Sequence, residues 1–481
     1  MSAGEESRAA SGPRRAVPIE ELRGILGPGR VLTSEADRLS YAYDASFGVY
    51  VPDCVVQPKS TEEVQAVVRA AARERIPLYP RGSGSCLSGG PLPVYGGIVV
   101  DLSKMDGKLE IYPDDLVAVV SPGVRTLDLQ KAAERHGLFY PPDPSSSRIS
   151  TIGGNIAENS GGPRGLKYGV TRDYVLGLEV VTADGRVFRT GGHTIKNVTG
   201  YDLTRLIVGS EGTLGIVTEA VLRLLPKPQA RRTALAVFDD LVVAGTAISK
   251  ILTSGILPGA LEIIDQACLR AVEAFRPSGL PVDAEAVLLV EVDGHPAAVD
   301  DEIRQAAQIC RQLGARSVEV AADEAARDRL WFARRQISPA IARIKPTKIS
   351  EDATVPRSRI PEMFAKLREI RKKYGVELVV FGHAGDGNLH PNILCDLRDR
   401  EEMKRVEEAV AEIFRAALEM GGTLSGEHGI GTMKAPFLTW QLGEVGVEMT
   451  KRIKQAWDPD NIMNPGKIFP EPGRDRLVFT S

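Results

Sequence analysis

Residues 381–392 read Phe-Gly-His-Ala-Gly-Asp-Gly-Asn-Leu-His-Pro-Asn and set two of the six histidines, His383 and His390, on either side of an Asp-Gly pair. Asp386-Gly387 is a strong signal for a two-residue hairpin turn of type I′. Such a turn pairs 385 with 388, 384 with 389 and 383 with 390. The two imidazoles then stand side by side on one face, with Phe381 and Asn392 next along it. Imidazoles paired on a rigid hairpin have the geometry of metal ligands, and two of them leave a site short of donors. A further donor is expected from Ser-Gly-Glu-His-Gly-Ile-Gly at 425–431, where Glu427 and His428 sit between glycines. His136, His193 and His295 fall at a helix end or in loops and match no ligand spacing, so they read as structural.

A second kind of chemistry is written in glycine. Residues 80–90, Pro-Arg-Gly-Ser-Gly-Ser-Cys-Leu-Ser-Gly-Gly, place Gly82, Gly84, Gly89 and Gly90 among small hydroxyl residues just after a strand, where exposed amides can hold a diphosphate. The spacing is not the G-x-G-x-x-G of a Rossmann turn, and a plain glycine loop fits this stretch alone equally well. Two further segments shift that balance. Residues 150–169 carry six glycines with Asn155 and Asn159, and 207–219 carry three more beside Ser210 and Thr213.

The elements that must position these loops follow from periodicity. Val55 and Val56 mark a strand, Ser60 with Glu63 a capping box, and Val64, Val67, Val68 and Ala71 an amphipathic helix. A second strand at Pro77–Tyr79 completes a β-α-β unit that runs into the first glycine loop. A helix is expected from about Leu127 to His136, stopped by Gly137, and a hairpin tipped by Asp184-Gly185 within the strand-rich stretch 174–224. Pro226 and Pro228 mark a domain boundary. Beyond it, strands alternate with helices in the order of a split β-α-β domain on an antiparallel sheet, with long helices over 323–344, 358–374 and 399–420.

Composition narrows the class. The 481 residues point to two domains. Apolar residues at 43%, charged residues at 26% and a net charge of -3 give no electrostatic case for a nucleic-acid partner. Cys54, Cys86, Cys268, Cys310 and Cys395 are scattered and odd in number, which argues against a disulfide framework or a Cys-rich metal site and suits a reducing cytosol. The first 17 residues are polar without an apolar core, and no run of about 18 apolar residues occurs. A cytoplasmic protein with no transmembrane segment is expected, peripheral to the inner membrane face only through partners.

Taken in order, these motifs resemble the flavoproteins of the vanillyl-alcohol oxidase and p-cresol methylhydroxylase (PCMH) fold. Within that fold they look like the FAD-linked D-2-hydroxyacid dehydrogenases, the glycolate oxidase catalytic subunits and bacterial D-lactate dehydrogenases among them. The likeness runs from about residue 18 to Asn-Pro-Gly-Lys-Ile-Phe at 464–469. It implies an α+β chain with a two-part FAD-binding domain of the PCMH type over 18–228. An FAD-linked oxidase C-terminal domain over 229–470 would follow, its antiparallel sheet covered by helices, with a flexible N-terminus at 1–17 and a tail at 471–481.

The resemblance also assigns residues. It implies that Arg81, Gly82, Ser83, Gly84 and Ser85 with Gly89 hold the FAD pyrophosphate, and that Pro142, Gly153, Gly154, Asn155, Gly161, Gly165 and Tyr168 line the cofactor. Glu211, Gly212, Gly215, Ile216 and Val217 would meet its adenine and isoalloxazine side, and Asn464 would also touch it. Some relatives tether FAD through a histidine in the first glycine loop; Ser85 stands in that place, so non-covalent FAD is expected. Residues matching His383, His390 and Glu427 bind a divalent metal, for which zinc, manganese and iron all suit the donors. The residue matching His428 serves as the base. Arg334 and Lys348 match the family's carboxylate-binding residues, with Ser338 one helical turn after Arg334, and Asn392 is grouped with these catalytic residues. A solvated basic helix face, shared with Arg335 and Arg343, is the competing reading of the two cations.

The expected activity is oxidation of a small D-2-hydroxyacid, D-lactate or glycolate, to its 2-oxoacid, with hydride passing to flavin N5. D-2-hydroxyglutarate is the alternative substrate. Electrons would leave for an iron–sulfur subunit, an electron-transfer flavoprotein or a quinone pool, since nothing reads as an NAD site. A transferase like alkyl-dihydroxyacetone-phosphate synthase is the first rival, but its run of consecutive histidines does not occur here. A non-catalytic flavin subunit is the second, and it has no need of paired histidines with Glu427. Substrate, metal and oligomeric state, a homodimer included, are not legible from one chain.

Overall fold

The structure, a computed structural model, describes residues 16–471. The flexible N-terminus expected over 1–17 and the tail expected over 471–481 lie outside the described residues, except for residues 16, 17 and 471.

The first half of the chain makes two sheets. Cys54–Val56, Ile98–Asp101 and Leu78–Arg81 run parallel, with Val31–Leu32 added antiparallel at one edge. Parallel strands need a crossover, and the helix Thr61–Glu74 follows the first of them. Val64, Val67, Val68 and Ala71 are wholly buried on it, which is what the helical spacing of the apolar residues requires. Only half of the expected capping box forms. Ser60 accepts the Glu63 N–H, but the Glu63 carboxylate accepts the Lys59 N–H at 2.7 Å and pairs with Arg30. The strand Leu78–Arg81 extends two residues past the expected Tyr79 and delivers the chain directly into the first glycine loop. The second sheet is antiparallel in the order Leu109–Tyr112, Val117–Val120, Ile216–Arg223, Val175–Val181, Val187–Gly191, and its last two strands form the hairpin expected at Asp184-Gly185.

Strand Leu225–Pro226 still pairs with Leu138–Phe139, and Ala230 opens a new sheet. That sheet runs Ser317–Val320, Ala230–Phe238, Ala286–Gly294, Ala260–Asp265, Glu377–His383, Asn388–Cys395, Thr347–Ser350, every pairing antiparallel. Alternation divides its residues between two cores. Leu378, Val380 and Ile393 pack with residues of the helices Leu241–Thr253, Pro296–Gln312, Ile360–Tyr374 and Arg400–Glu419. Val379, Phe381 and Leu394 pack with residues of Gln266–Phe275 and Glu324–Ile341. His383, His390 and Asn392 share the parity of this second set, so they lie on the face that carries Glu324–Ile341.

After the long helix Leu438–Trp457 the chain returns to the first half. Leu78 donates to Ile462 and accepts from Asn464, both at 2.7 Å, and Ile462 and Met463 join the core of the first sheet. Lys454 fixes this return. It is nearly buried, and its ammonium donates to the carbonyls of Thr213 at 2.8 Å and Met463 at 2.7 Å and pairs with Asp458.

Candidate active site

The hairpin that carries the two histidines differs from the expected one in register. His383 pairs with Asn388, and His390 pairs with Phe381, so the turn is the four residues Ala384–Gly387 rather than Asp386-Gly387 alone. The Asp386 carboxylate accepts the Asn388 N–H at 3.1 Å and thereby holds the wider turn. Gly387 sits at φ 89°, where a Cβ would strike the Val355 carbonyl at 2.1 Å. The slip is two residues, an even number, and so it preserves the face. The imidazoles of His383 and His390 meet edge to face with centroids 4.9 Å apart, and Phe381 lies beside His390 at 5.5 Å. Asn392 donates to the His390 carbonyl at 2.8 Å, while its Oδ1 is buried without a partner.

Glu427 reaches this pair from the loop that begins at Ser425. Its Oε1 lies 3.2 Å from His383 Nε2 and 3.3 Å from His390 Nε2. Around an ion with bonds of about 2.0 Å, a tetrahedron has edges of roughly 3.3 Å. Each imidazole nitrogen lies one such edge from the carboxylate oxygen, and His390 and Glu427 also belong, with Asp352 and His428, to a group whose donor atoms lie within 4.8 Å of one another, so the donors suit a divalent metal. Both rings are also backed by carboxylates, as metal-binding histidines usually are. His383 Nδ1 lies 2.7 Å from the fully buried Glu262, and His390 Nδ1 lies 3.3 Å from Asp352. Burial alone would raise the Glu427 carboxyl, but the charge of His383 and the contacts with both imidazoles hold it well below the usual range. His383 would be lowered by burial, and Glu262 with Glu427 raise it well above the ordinary value.

Asp352 builds the loop itself. Its Oδ2 accepts from the Ser425 hydroxyl at 2.9 Å, from the amides of Gly426, Glu427 and His428 at 3.1, 3.3 and 3.1 Å, and from the Lys434 ammonium at 3.4 Å. His428 stacks on His390 with centroids 5.3 Å apart and planes 11° from parallel. Burial lowers its pKa to about 4 against the raising effect of Asp352. The imidazole is therefore neutral at ordinary pH.

Of the two cations expected to bind a carboxylate, Arg334 is engaged by the protein. Its Nε donates to Glu262 at 2.5 Å and its guanidinium lies 4.8 Å over Phe381. Lys348, on the strand Thr347–Ser350, instead donates to the Ser338 hydroxyl at 2.9 Å, and burial lowers its pKa. Both line one cavity of about 900 Å³ together with His390, Glu427 and His428.

The opposite wall of that cavity is the glycine-rich half of the chain. Gly82, Ser83, Gly84, Ser85, Gly154, Asn155, Gly161, Glu211, Gly212 and Asn464 line it. The cradle is close: a Cβ on Gly82 would meet Thr151 Oγ1 at 2.3 Å, and one on Gly161 would meet Glu427 Oε2 at 2.8 Å. Glu158 also faces the cavity, and its Oε2 is buried without a partner. A large ligand with polar edges fits such walls.

The remaining residues expected at the cofactor stand behind this surface. Arg81 donates to the Tyr43 carbonyl at 2.8 Å, Tyr168 to Asp293 at 2.8 Å, and the Pro142 carbonyl accepts from Gln130 at 2.9 Å. Gly89 backs on Thr432, Gly153 on Pro122, Gly165 on Asp386 and Gly215 on Val180. Ile216 and Val217 lie in the strand Ile216–Arg223 and pack in the cores of the first half. Glu211 lines the cavity, yet its carboxylate is taken up by the N–H groups of Ile430 and Gly431, both at 2.7 Å. Asp352 and Glu262 are not among the expected residues; Glu262 could have been noticed as an acid inside the apolar strand Ala260–Asp265, whereas Asp352, next to Glu351 between two short strands, carries no such signal. His295 caps the helix Pro296–Gln312 through Ala297, and His193 lies 3.6 Å from Asp115, both away from the site.

Comparison with known proteins agrees with this partition. Residues 227–468 match the family described as FAD linked oxidases, C-terminal domain, and residues 52–191 match the FAD binding domain family. The chain is 50% identical over 460 residues to the glycolate oxidase subunit GlcD of Bacillus subtilis, covering 95% of this chain and 98% of that protein. It is 40% identical over 419 residues to D-lactate dehydrogenase of Archaeoglobus fulgidus, covering 86% and 90%. In fold it is similar to 4-ethylphenol oxidase from Gulosibacter chungangensis, with a TM-score of 0.77 at 23% identity over 94% of this chain and 97% of that one. It is likewise similar to p-cresol methylhydroxylase, with a TM-score of 0.76 at 20% identity over 94% and 96%.

The contact between Glu211 and the loop after His428 gives a test of how the halves are joined. Glu211→Gln turns an amide N–H toward one of two buried backbone donors. It should lower stability to urea by about 2 kcal/mol. An unchanged midpoint would show that the carboxylate does not hold the loop.

Proposed function

This chain belongs to the FAD-linked oxidases, and from that membership we propose that it oxidises a small D-2-hydroxyacid, glycolate or D-lactate, to the 2-oxoacid. The observation that carries the reading is the convergence, in one cavity, of two donors for a divalent ion, His390 and Glu427, with the neutral imidazole of His428 and the cation of Lys348. The relatives named for glycolate and D-lactate point to the same substrates.

In this reading His383, His390 and Glu427 hold the divalent ion, which when bound supplies a Lewis acid for the substrate's oxygen atoms. FAD, held non-covalently between the glycine loops, supplies the acceptor for the hydride from C2. Lys348, steadied by Ser338, binds the carboxylate. His428 takes the hydroxyl proton, because its ring is neutral and lines the cavity. Arg334 acts through Glu262 on His383, and its guanidinium closes the wall over Phe381. Asn392, with Oδ1 buried and unpaired beside the histidines, is suited to a polar contact in the site.

The cations also bear on substrate size. Arg327, Arg334 and Arg164 line the cavity but each faces a carboxylate of the chain, Glu291, Glu262 and Asp143 respectively. Arg148 and Arg335 line the same cavity, so the cations leave room for a second substrate carboxylate, and the preference for glycolate or lactate rests on the relatives named for them. A transferase reading has only fold in its favour: alkyldihydroxyacetonephosphate synthase is similar at a TM-score of 0.72 and 20% identity. The reduced flavin would pass its electrons to a partner, an iron–sulfur subunit, an electron-transfer flavoprotein or a quinone pool. The name of the Bacillus subtilis relative, a subunit, supports a protein partner. No helix among the described residues is long and apolar enough to cross a membrane.

Anaerobic addition of D-lactate or glycolate should bleach the visible flavin absorbance of the purified protein; a spectrum unmoved by any D-2-hydroxyacid would defeat the reading. His383→Ala/His390→Ala should keep FAD and lose stoichiometric metal on elemental analysis, and metal retained in that variant would refute the ligands. The base must be neutral to accept a proton, so kcat/KM should fall on the acid side only as pH drops through about 4. An acid limb near 6.5, the value of an ordinary histidine, would remove His428 from the role.

A further inference from the structure

Asp352 occupies a position that neither the metal ligands nor the base explains. It is fully buried, and its two oxygens serve different groups. Oδ2 gathers the Ser425 hydroxyl, three successive amides and Lys434. Oδ1 faces two imidazoles: His390 Nδ1 at 3.3 Å and His428 Nδ1 at 3.2 Å. The rings are nearly parallel, 11° apart, so both present the same edge to one oxygen. These three atoms are buried and none is placed for a hydrogen bond with any partner, each other included, so at these separations a bare Nδ1 lone pair would face the carboxylate oxygen and repel it.

A neutral imidazole carries one proton, and the atom opposite decides which nitrogen holds it. A carboxylate oxygen can only accept, so it selects the Nδ1–H form of both rings and leaves both Nε2 atoms as lone-pair donors. His390 Nε2 is the atom that faces Glu427 in the donor set. We propose that Asp352 is the positioning residue of the site, one carboxylate that fixes the loop bearing Glu427 and His428 and sets the tautomer of a metal ligand and of the base together. This rests on the reading of His428 as the base. A purely structural Asp352 would hold the backbone through Oδ2 and leave the tautomers indifferent.

The test is a ¹⁵N NMR spectrum of ¹⁵N-histidine-labelled, FAD-bound, zinc-loaded protein, with the His428 signal assigned by its loss in His428→Ala. The expected result is His428 protonated on Nδ1 and bare on Nε2. In Asp352→Asn the amide oxygen can still serve the loop amides while its NH₂ points donors at both rings. His428 should then switch to the Nε2–H form. His390 should switch with it, so turnover should fall by about 10⁴-fold and bound zinc should fall on elemental analysis of the same variant. His428 protonated on Nε2 in the unmodified protein would overturn the proposal. So would Asp352→Asn protein that keeps both tautomer and turnover. If that variant does not fold, the spectrum of the unmodified protein decides alone. Flavin reduction retained in His428→Ala would defeat the base assignment while leaving the tautomer result to be read on its own.

Discussion

Two carboxylates shut off from water, Glu262 and Asp352, and a third at the cavity wall, Glu427, organise the second half of this protein. Moving a carboxylate out of water without partners costs on the order of tens of kcal/mol in the ideal case, so each must be met by donors or lose its charge. Glu262 is met by His383 and Arg334, Asp352 by Lys434, a hydroxyl and three amides with two imidazoles alongside, and Glu427 by two imidazoles. The arrangement of the site follows from satisfying these three groups. Arg334 illustrates the constraint. A cation on a cavity wall is a natural anchor for an anion, yet the burial of Glu262 commits the Nε of Arg334 to the protein, while Lys348 meets only the Ser338 hydroxyl.

The same economy joins the two halves. The segment after His428 gives its amides to Glu211, a residue of the first half, and Asn464 ties the returning chain to the carbonyls of Gly90 and Glu211. Glycines in this segment are needed where the halves touch. Gly429 at φ 83° would carry a Cβ 2.1 Å from Glu158 Oε2, and Gly161 would carry one into Glu427. Gly431, at φ 50°, would carry a Cβ 2.1 Å from the Ser88 carbonyl, so at that point the loop after His428 packs backbone on backbone against the first half of the chain.

What could be read from the chain, and what could not, divides along physical lines. Apolar periodicity located the helix Thr61–Glu74, the hairpin tipped at Asp184-Gly185 and the alternating strands of the second sheet, because burial on one face repeats along an element. Register is a different quantity. The Asp386-Gly387 pair signalled a turn, but the Asp386 carboxylate and the Val355 carbonyl select a wider one, and the pairing moved by two residues. His383 and His390 nonetheless share a face, since parity survives an even slip. The residues missed, Glu262 and Asp352, lie far from the histidines in sequence and become part of the site only through sheet order. Resemblance carries Arg81, Tyr168 and Ile216 to the cofactor, and in the structure Arg81 donates to the Tyr43 carbonyl, Tyr168 to Asp293, and Ile216 packs in the core of the first sheet.

The charges around His428 explain how an imidazole can be kept neutral inside a polar cluster. A histidine beside a carboxylate ordinarily gains a proton, because the pair is stabilised by it. Here Asp352 is already shared: Lys434 and the loop donors hold Oδ2, and His390 competes for Oδ1. Burial and the nearby Lys434 and His390 weigh against a charge on His428 more than Asp352 weighs for it, and the ring stays neutral with its pKa near 4. A lone Asp–His pair favours the protonated ring, which has no free electron pair. Dividing one carboxylate between a lysine, a loop and two imidazoles orients the ring without charging it.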